Sequence, residues 1–110
     1  MQYSQPMNLA KLDQQDLLAR CAWCHRLIPP DEECFGAGGR VWPAVRASVR
    51  QQEGKLIPLA LSGGRQVIAI VPTVDSPART DGYDLYFQAC SEKCCAELSA
   101  AVRAELPGKN

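Results

Sequence analysis

The chain has 110 residues, and its 12 Lys and Arg balance its 12 Asp and Glu, for a net charge of +0. That length fits one domain, and the even balance lacks the basic excess by which a domain grips a phosphate backbone. Residues 1–8 have no apolar core of signal-peptide length, and no stretch nears the roughly 20 apolar residues of a membrane span. A cytoplasmic location with no membrane partner is therefore expected.

Residues 1–7 read as a flexible tail. Leucines at 9, 12, 17 and 18 then suggest a short amphipathic helix with Asn8 as its cap. It leads straight into Cys21-Ala22-Trp23-Cys24, a spacing that lets the backbone curl until both sulfurs reach one metal ion. Pro29-Pro30 stops regular structure. Residues 32–35 and 40–45, separated by Gly36-Ala37-Gly38-Gly39, suggest a first hairpin with a glycine turn, and Pro43 marks its second strand as an edge or as ending early. Residues 44–53 fit either a helical turn or a strand that runs into a loop, closed by Gly54.

Residues 55–61 and 65–71, joined at Ser62-Gly63-Gly64, carry a hairpin signal. Pro58 assigns the first of these strands to a sheet edge. The second, with Val67-Ile68-Ala69-Ile70-Val71, has no alternation and is expected to be covered on both faces. Residues 72–81 read as a surface loop. Residues 82–88 alternate, with Tyr83, Leu85 and Phe87 on one face and Asp84, Tyr86 and Gln88 on the other. Ser91 is a helix cap. The helix it opens runs from Glu92 to about Glu105, with Cys95, Leu98, Val102 and Leu106 along one stripe, and Pro107-Gly108 ends it.

Six cysteines in a chain without an export signal favour metal binding over disulfides. Cys21 and Cys24 form one close pair. Cys90, at a strand end, and Cys94, in the first turn of a helix, form another. A helix N-terminus favours thiolate, and Zn2+ is satisfied by four thiolates supplied as two pairs. Cys21, Cys24, Cys90 and Cys94 are thus the candidate zinc ligands. With every position filled by protein, the ion would be structural and the chain no enzyme. C-A-W-C-H also has the form of a c-type haem attachment site, but that chemistry needs export.

The two cysteine elements together resemble a treble-clef zinc finger, and within that class the MYM and TRASH-type fingers. Their pattern is C-x-x-C, a hairpin, and an aromatic-C-S-x-x-C element, here C-A-W-C and C-S-E-K-C. The resemblance covers residues 20–40 and 82–104. It implies the same four ligands and a helix after Cys90 packed on the hairpin. The chain departs from the pattern in three places. His25 stands where a Gly is common, Ala89 takes the aromatic position with Phe87 displaced from it, and 65 residues separate Cys24 from Cys90. The fold expected is α+β: a treble-clef-like finger over residues 1–110, with an antiparallel β insert at residues 41–81 as a subdomain and a C-terminal helix.

Cys34 and Cys95 are expected to be small buried hydrophobes, and His25 a solvated side chain. Arg40, Arg46, Arg50 and Arg65, with Trp42, are either a binding surface or a solvated face with one core tryptophan. Asp31-Glu32-Glu33 and Asp81/Asp84 read as ordinary loop carboxylates. The function expected is a non-enzymatic, zinc-stabilised interaction module that binds a protein partner or itself, the latter by pairing of the strand at 67–71. The alternatives are a nucleic-acid-binding finger and a metal-sensing protein.

Overall fold

The computed structural model of the chain describes residues 9, 12–61 and 64–105. The flexible tail, the Asn8 cap, Ser62 and Gly63 of the hairpin turn, Leu106 and the Pro107-Gly108 stop lie outside the described residues. Among the described residues, four strands and four helices follow one another as α1 (Gln14–Leu18), β1 (Phe35–Gly39), α2 (Pro43–Arg50), β2 (Leu56–Ala60), β3 (Gln66–Ile70), α3 (Pro77–Thr80), β4 (Leu85–Ala89) and α4 (Glu92–Glu105). The fold is α+β, with an open antiparallel sheet in the order β1-β4-β3-β2.

The sheet is two well-paired ribbons joined at a narrow waist. β1 pairs with β4 from Phe35↔Ala89 to Gly39↔Leu85, and β2 pairs with β3 from Leu56↔Ile70 to Ala60↔Gln66. Between β3 and β4 the register holds only Ile70↔Tyr86. Away from that pair the two strands are bridged by Ala22: its N–H donates to the Gln88 carbonyl at 2.6 Å, and its carbonyl accepts from the Ile68 N–H at 3.3 Å. The C-x-x-C segment thus lies between the two ribbons.

Helix α4 packs on β1 and β4 and buries Leu98 and Val102. Its start agrees with the sequence, and the Ser91 hydroxyl accepts from the Cys94 N–H at 3.1 Å. Strand β4 buries Leu85, Phe87 and Ala89 and leaves Tyr86 partly exposed, as its alternation predicts. Strand β3 buries Val67, Ile68 and Ala69, and β2, with Pro58, lies at a sheet edge. Because β2 and β4 flank β3 on either side, the strand at 67–71 has no open edge with which to pair across a dimer.

The first hairpin does not form as the sequence suggests. Residues 36–39 are strand, and β1 finds its partner in β4, far along the chain. The glycines are there for clearance, not for a turn. A Cβ on Gly38 would come within 2.6 Å of the Tyr83 ring, and one on Gly36 would run into the Tyr86 side chain. Residues 43–50 are helix α2, in which Pro43 occupies the first turn, where its missing N–H costs nothing and its fixed φ suits the helix.

Two shorter elements also differ. Helix α1 starts at Gln14 because the Asp13 carboxylate accepts the Asp16 N–H at 2.9 Å and caps it. The loop at 72–81 contains α3, capped by Ser76. The 41–81 insert therefore carries two helices besides its hairpin, and the hairpin joins the common sheet through Ile70↔Tyr86.

The stacking of Tyr83 on a bare strand gives a direct test. Gly38→Ala should destabilise the protein by about 1–3 kcal/mol, the usual cost of overpacking, and Tyr83→Ala in the same chain should remove most of that penalty. Urea unfolding of the two single variants and the double variant measures the coupling.

Candidate metal centre

The short turn after α1 is set by its backbone. Arg20 and Leu27 form an antiparallel bridge, and the Cys21 N–H donates to the Arg26 carbonyl at 2.9 Å. Inside that frame the His25 N–H donates to the Cys21 carbonyl at 3.0 Å, and His25 takes a φ of +68°. This is left-handed backbone, which L residues other than Gly, Asn and Asp seldom adopt. A compensating bond holds His25 there, because its Nε2 lies 2.8 Å from the Gln66 carbonyl on β3. The imidazole is half-buried and bonded, not solvated as the sequence suggests.

The chain's two ends meet at this turn. The Sγ atoms of Cys21, Cys24, Cys90 and Cys94 all lie within 4.8 Å of one another. Cys24 and Cys90 are 3.7 Å apart, and Cys90 and Cys94 are 3.8 Å apart. A tetrahedron of sulfurs at about 2.3 Å from a central ion has edges of about 3.8 Å, so both spacings suit a shared metal. All six cysteines are free thiols. Cys21 is fully buried, and its Sγ accepts the backbone N–H groups of Trp23 at 3.4 Å and Cys90 at 3.3 Å. Such N–H···S bonds orient and stabilise thiolate.

The electrostatics divide the sulfurs. Burial pushes the Cys24 thiol up to about 12; the Arg26 N–H opposes this, and the neighbouring sulfurs reinforce it. Cys24 is the exposed residue of the four, with its sulfur within 4.8 Å of the other three. Burial also raises Cys94, against the Ser91 hydroxyl. Cys90 goes the other way. Burial raises it too, but hydrogen bonds from Arg26 and from the thiols of Cys24, Cys21 and Cys94 outweigh this and bring it down to about 7. Arg26 is raised in turn, by its hydrogen bond to Cys90 and by Glu32, with which it forms an ion pair. Four thiolates around a divalent ion leave a net charge of about −2, which Arg26 and the N-terminus of α4 are placed to offset.

Trp23 fastens the turn to its surroundings. Its indole N–H donates to Glu97 of α4 at 2.8 Å, the Arg65 guanidinium stacks 3.6 Å from its ring, and Arg65 Nη2 donates to its carbonyl at 2.9 Å.

The other singled-out residues have different fates. Cys95 points its sulfur at the Gly36 carbonyl, 3.5 Å away, and stands outside the cluster. Cys34 is exposed, not buried as expected, because it precedes β1 at the surface. The arginines do not form a free basic face. Arg46 and Arg50 bind Asp84 at 3.1 and 3.2 Å, and Arg40 lies over the Tyr83 ring at 4.9 Å. Trp42 is 56% exposed and so is not a core tryptophan.

Asp84, read from sequence as an ordinary loop carboxylate, is 1% exposed and also accepts the Val41 N–H at 3.0 Å. The alternation places it opposite Leu85 and Phe87 but does not reveal the arginines and the Val41 N–H that gather on it.

No protein-family model, curated protein or solved structure matches the chain.

Two outcomes follow from this geometry. His25→Ala should lose about 1 kcal/mol with its hydrogen bond. His25→Gly should regain about as much by relieving the left-handed backbone, and denaturant titration of the metal-loaded protein compares the three chains. The second concerns protons. Cys24 and Cys94, both raised, hold theirs at pH 7 without metal and must lose them to ligate, so metal uptake should release at least two protons per ion. Affinity should therefore rise with pH across the neutral range. Calorimetry in buffers of different ionisation enthalpy counts the protons.

Proposed function

We propose that the chain is a zinc-binding, non-enzymatic interaction module with a treble-clef-like clasp, acting as a single unit over residues 1–110. The observation that carries this is the meeting of four cysteine sulfurs from distant parts of the chain, all within 4.8 Å of one another and two pairs at 3.7 and 3.8 Å. Cys21, Cys24, Cys90 and Cys94 would hold Zn2+, and all-thiolate ligation suits zinc. When bound, the ion supplies cross-linking and charge neutralisation. The four sulfurs fill its coordination shell, so a role in building the fold is favoured over a role in catalysis.

A protein partner, or a second copy, is favoured over nucleic acid by how the surface is divided. Arg46 and Arg50 are spent on Asp84, and Arg65 on Trp23. Trp42 and Val45 beside and on α2, and Leu18 and Tyr86 around a 720 Å³ groove, leave apolar side chains in solvent. Aromatic residues are enriched in protein interfaces. A cytoplasmic location agrees with the thiol content.

Metal analysis of the purified protein should return one zinc per chain. Cys90→Ser should lose most of that zinc and unfold at a markedly lower temperature, because zinc binding in small thiolate sites contributes on the order of 10 kcal/mol. A Cys90→Ser protein with full zinc and an unchanged Tm would overturn the reading. Light scattering with and without chelator, and titration with duplex DNA at two salt concentrations, separate self-association from nucleic-acid binding.

A further inference from the structure

The four sulfurs are not equally protected. Cys24 is the exposed member of the cluster, and its sulfur lies 3.7 Å from that of Cys90. Cys21 sits at the opposite extreme, fully buried and held by two backbone N–H groups. Cys94 lies beyond Cys90, at 3.8 Å, on the first turn of α4. The exposed flank also carries the Arg26 guanidinium, paired with Glu32. Thiolate sulfur is oxidised where it can be reached and where a second thiol stands ready to resolve the product.

We infer that this clasp is a peroxide-sensitive switch, in which Cys24 is the sulfur attacked, Cys90 is its resolving partner, and formation of a Cys24–Cys90 disulfide expels the metal. The inference rests on the reading that the four cysteines hold zinc. In the first step the Cys24 sulfur attacks one oxygen of a hydroperoxide. The S–O bond forms, the O–O bond breaks, and the departing alkoxide or hydroxide takes a proton, leaving a sulfenic acid. In the second step the Cys90 sulfur attacks that of Cys24. The S–S bond forms, the S–O bond breaks, and hydroxide leaves as water after taking a second proton. Two electrons pass from the sulfur pair to the peroxide.

Only a short movement is needed, from 3.7 Å to about 2.05 Å. Two thiolates remain, too few to retain zinc in its four-coordinate structural form. The new bond ties the C-x-x-C turn to the end of β4, so Ala22 stays near its place between the ribbons and reduction can rebuild the site.

The test uses the full chain loaded with zinc, titrated with hydrogen peroxide beside a chelating dye. A Cys34→Ser/Cys95→Ser variant removes the two thiols outside the cluster, and mapping the wild-type protein by mass spectrometry answers the same question without substitution. The switch predicts loss of two thiols for each zinc released, a cross-link between the peptides carrying Cys24 and Cys90, and recovery of zinc binding after dithiothreitol and fresh zinc. Zinc retained at peroxide concentrations that oxidise free cysteine overturns it. So does release with the bond mapped to Cys21 or Cys94, or with irreversible sulfinic acid as the product. Absence of zinc before any peroxide is added would instead defeat the metal reading, and the switch with it.

Discussion

The sheet depends on a residue that belongs to none of its strands. Ala22 donates to β4 and accepts from β3 where those two strands have separated, and it is 1% exposed. Without it, the Ile68 N–H and Gln88 carbonyl would lose partners inside the protein, and each such loss costs about 1–3 kcal/mol. Ala22 is held in place by Cys21 and Cys24 on either side. The sulfur cluster therefore completes the sheet as well as closing the chain. It fixes the spacer that keeps two ribbons in one layer, which explains how a waist of one residue pair can persist.

Charge and aromatic groups are used in the same inward manner. Asp84 receives Arg46, Arg50 and the Val41 N–H. This anchors α2, a helix with no buried residue of its own. A buried carboxylate is tolerable only when paired and hydrogen-bonded, and two arginines with a backbone donor meet that demand. Trp23 does comparable work beside the cluster, gripping Arg65 on one side and Glu97 on the other.

Residues whose partners lie nearby in sequence, or whose chemistry is restrictive, were legible. Ser91 and the helix it caps, the β2–β3 hairpin, Pro58 at an edge and the gathering of Cys21, Cys24, Cys90 and Cys94 all fall in this group. Features that need a distant partner were not. The glycines of β1 look like a turn until Tyr83 and Tyr86 are placed over them. Asp84 looks like surface until α2 brings its arginines. His25 breaks the glycine preference of its position because β3 offers it a carbonyl, which no local pattern reveals. Asp13 caps α1, and the spacing of the leucines does not point to it.

Strand β4 joins these two anchoring systems. Asp84 precedes it and holds α2; Cys90 follows it and enters the sulfur cluster. Leu85, Phe87 and Ala89, all buried between those ends, make it a rigid connector. The element at its other end is α2, beside which Trp42 stands exposed. Helix α2 is held by the ion pairs of Arg46 and Arg50 with Asp84 and by Val49, which packs against the core. The exposed Trp42 and Val45 and the sulfur cluster thus lie at opposite ends of one buried strand.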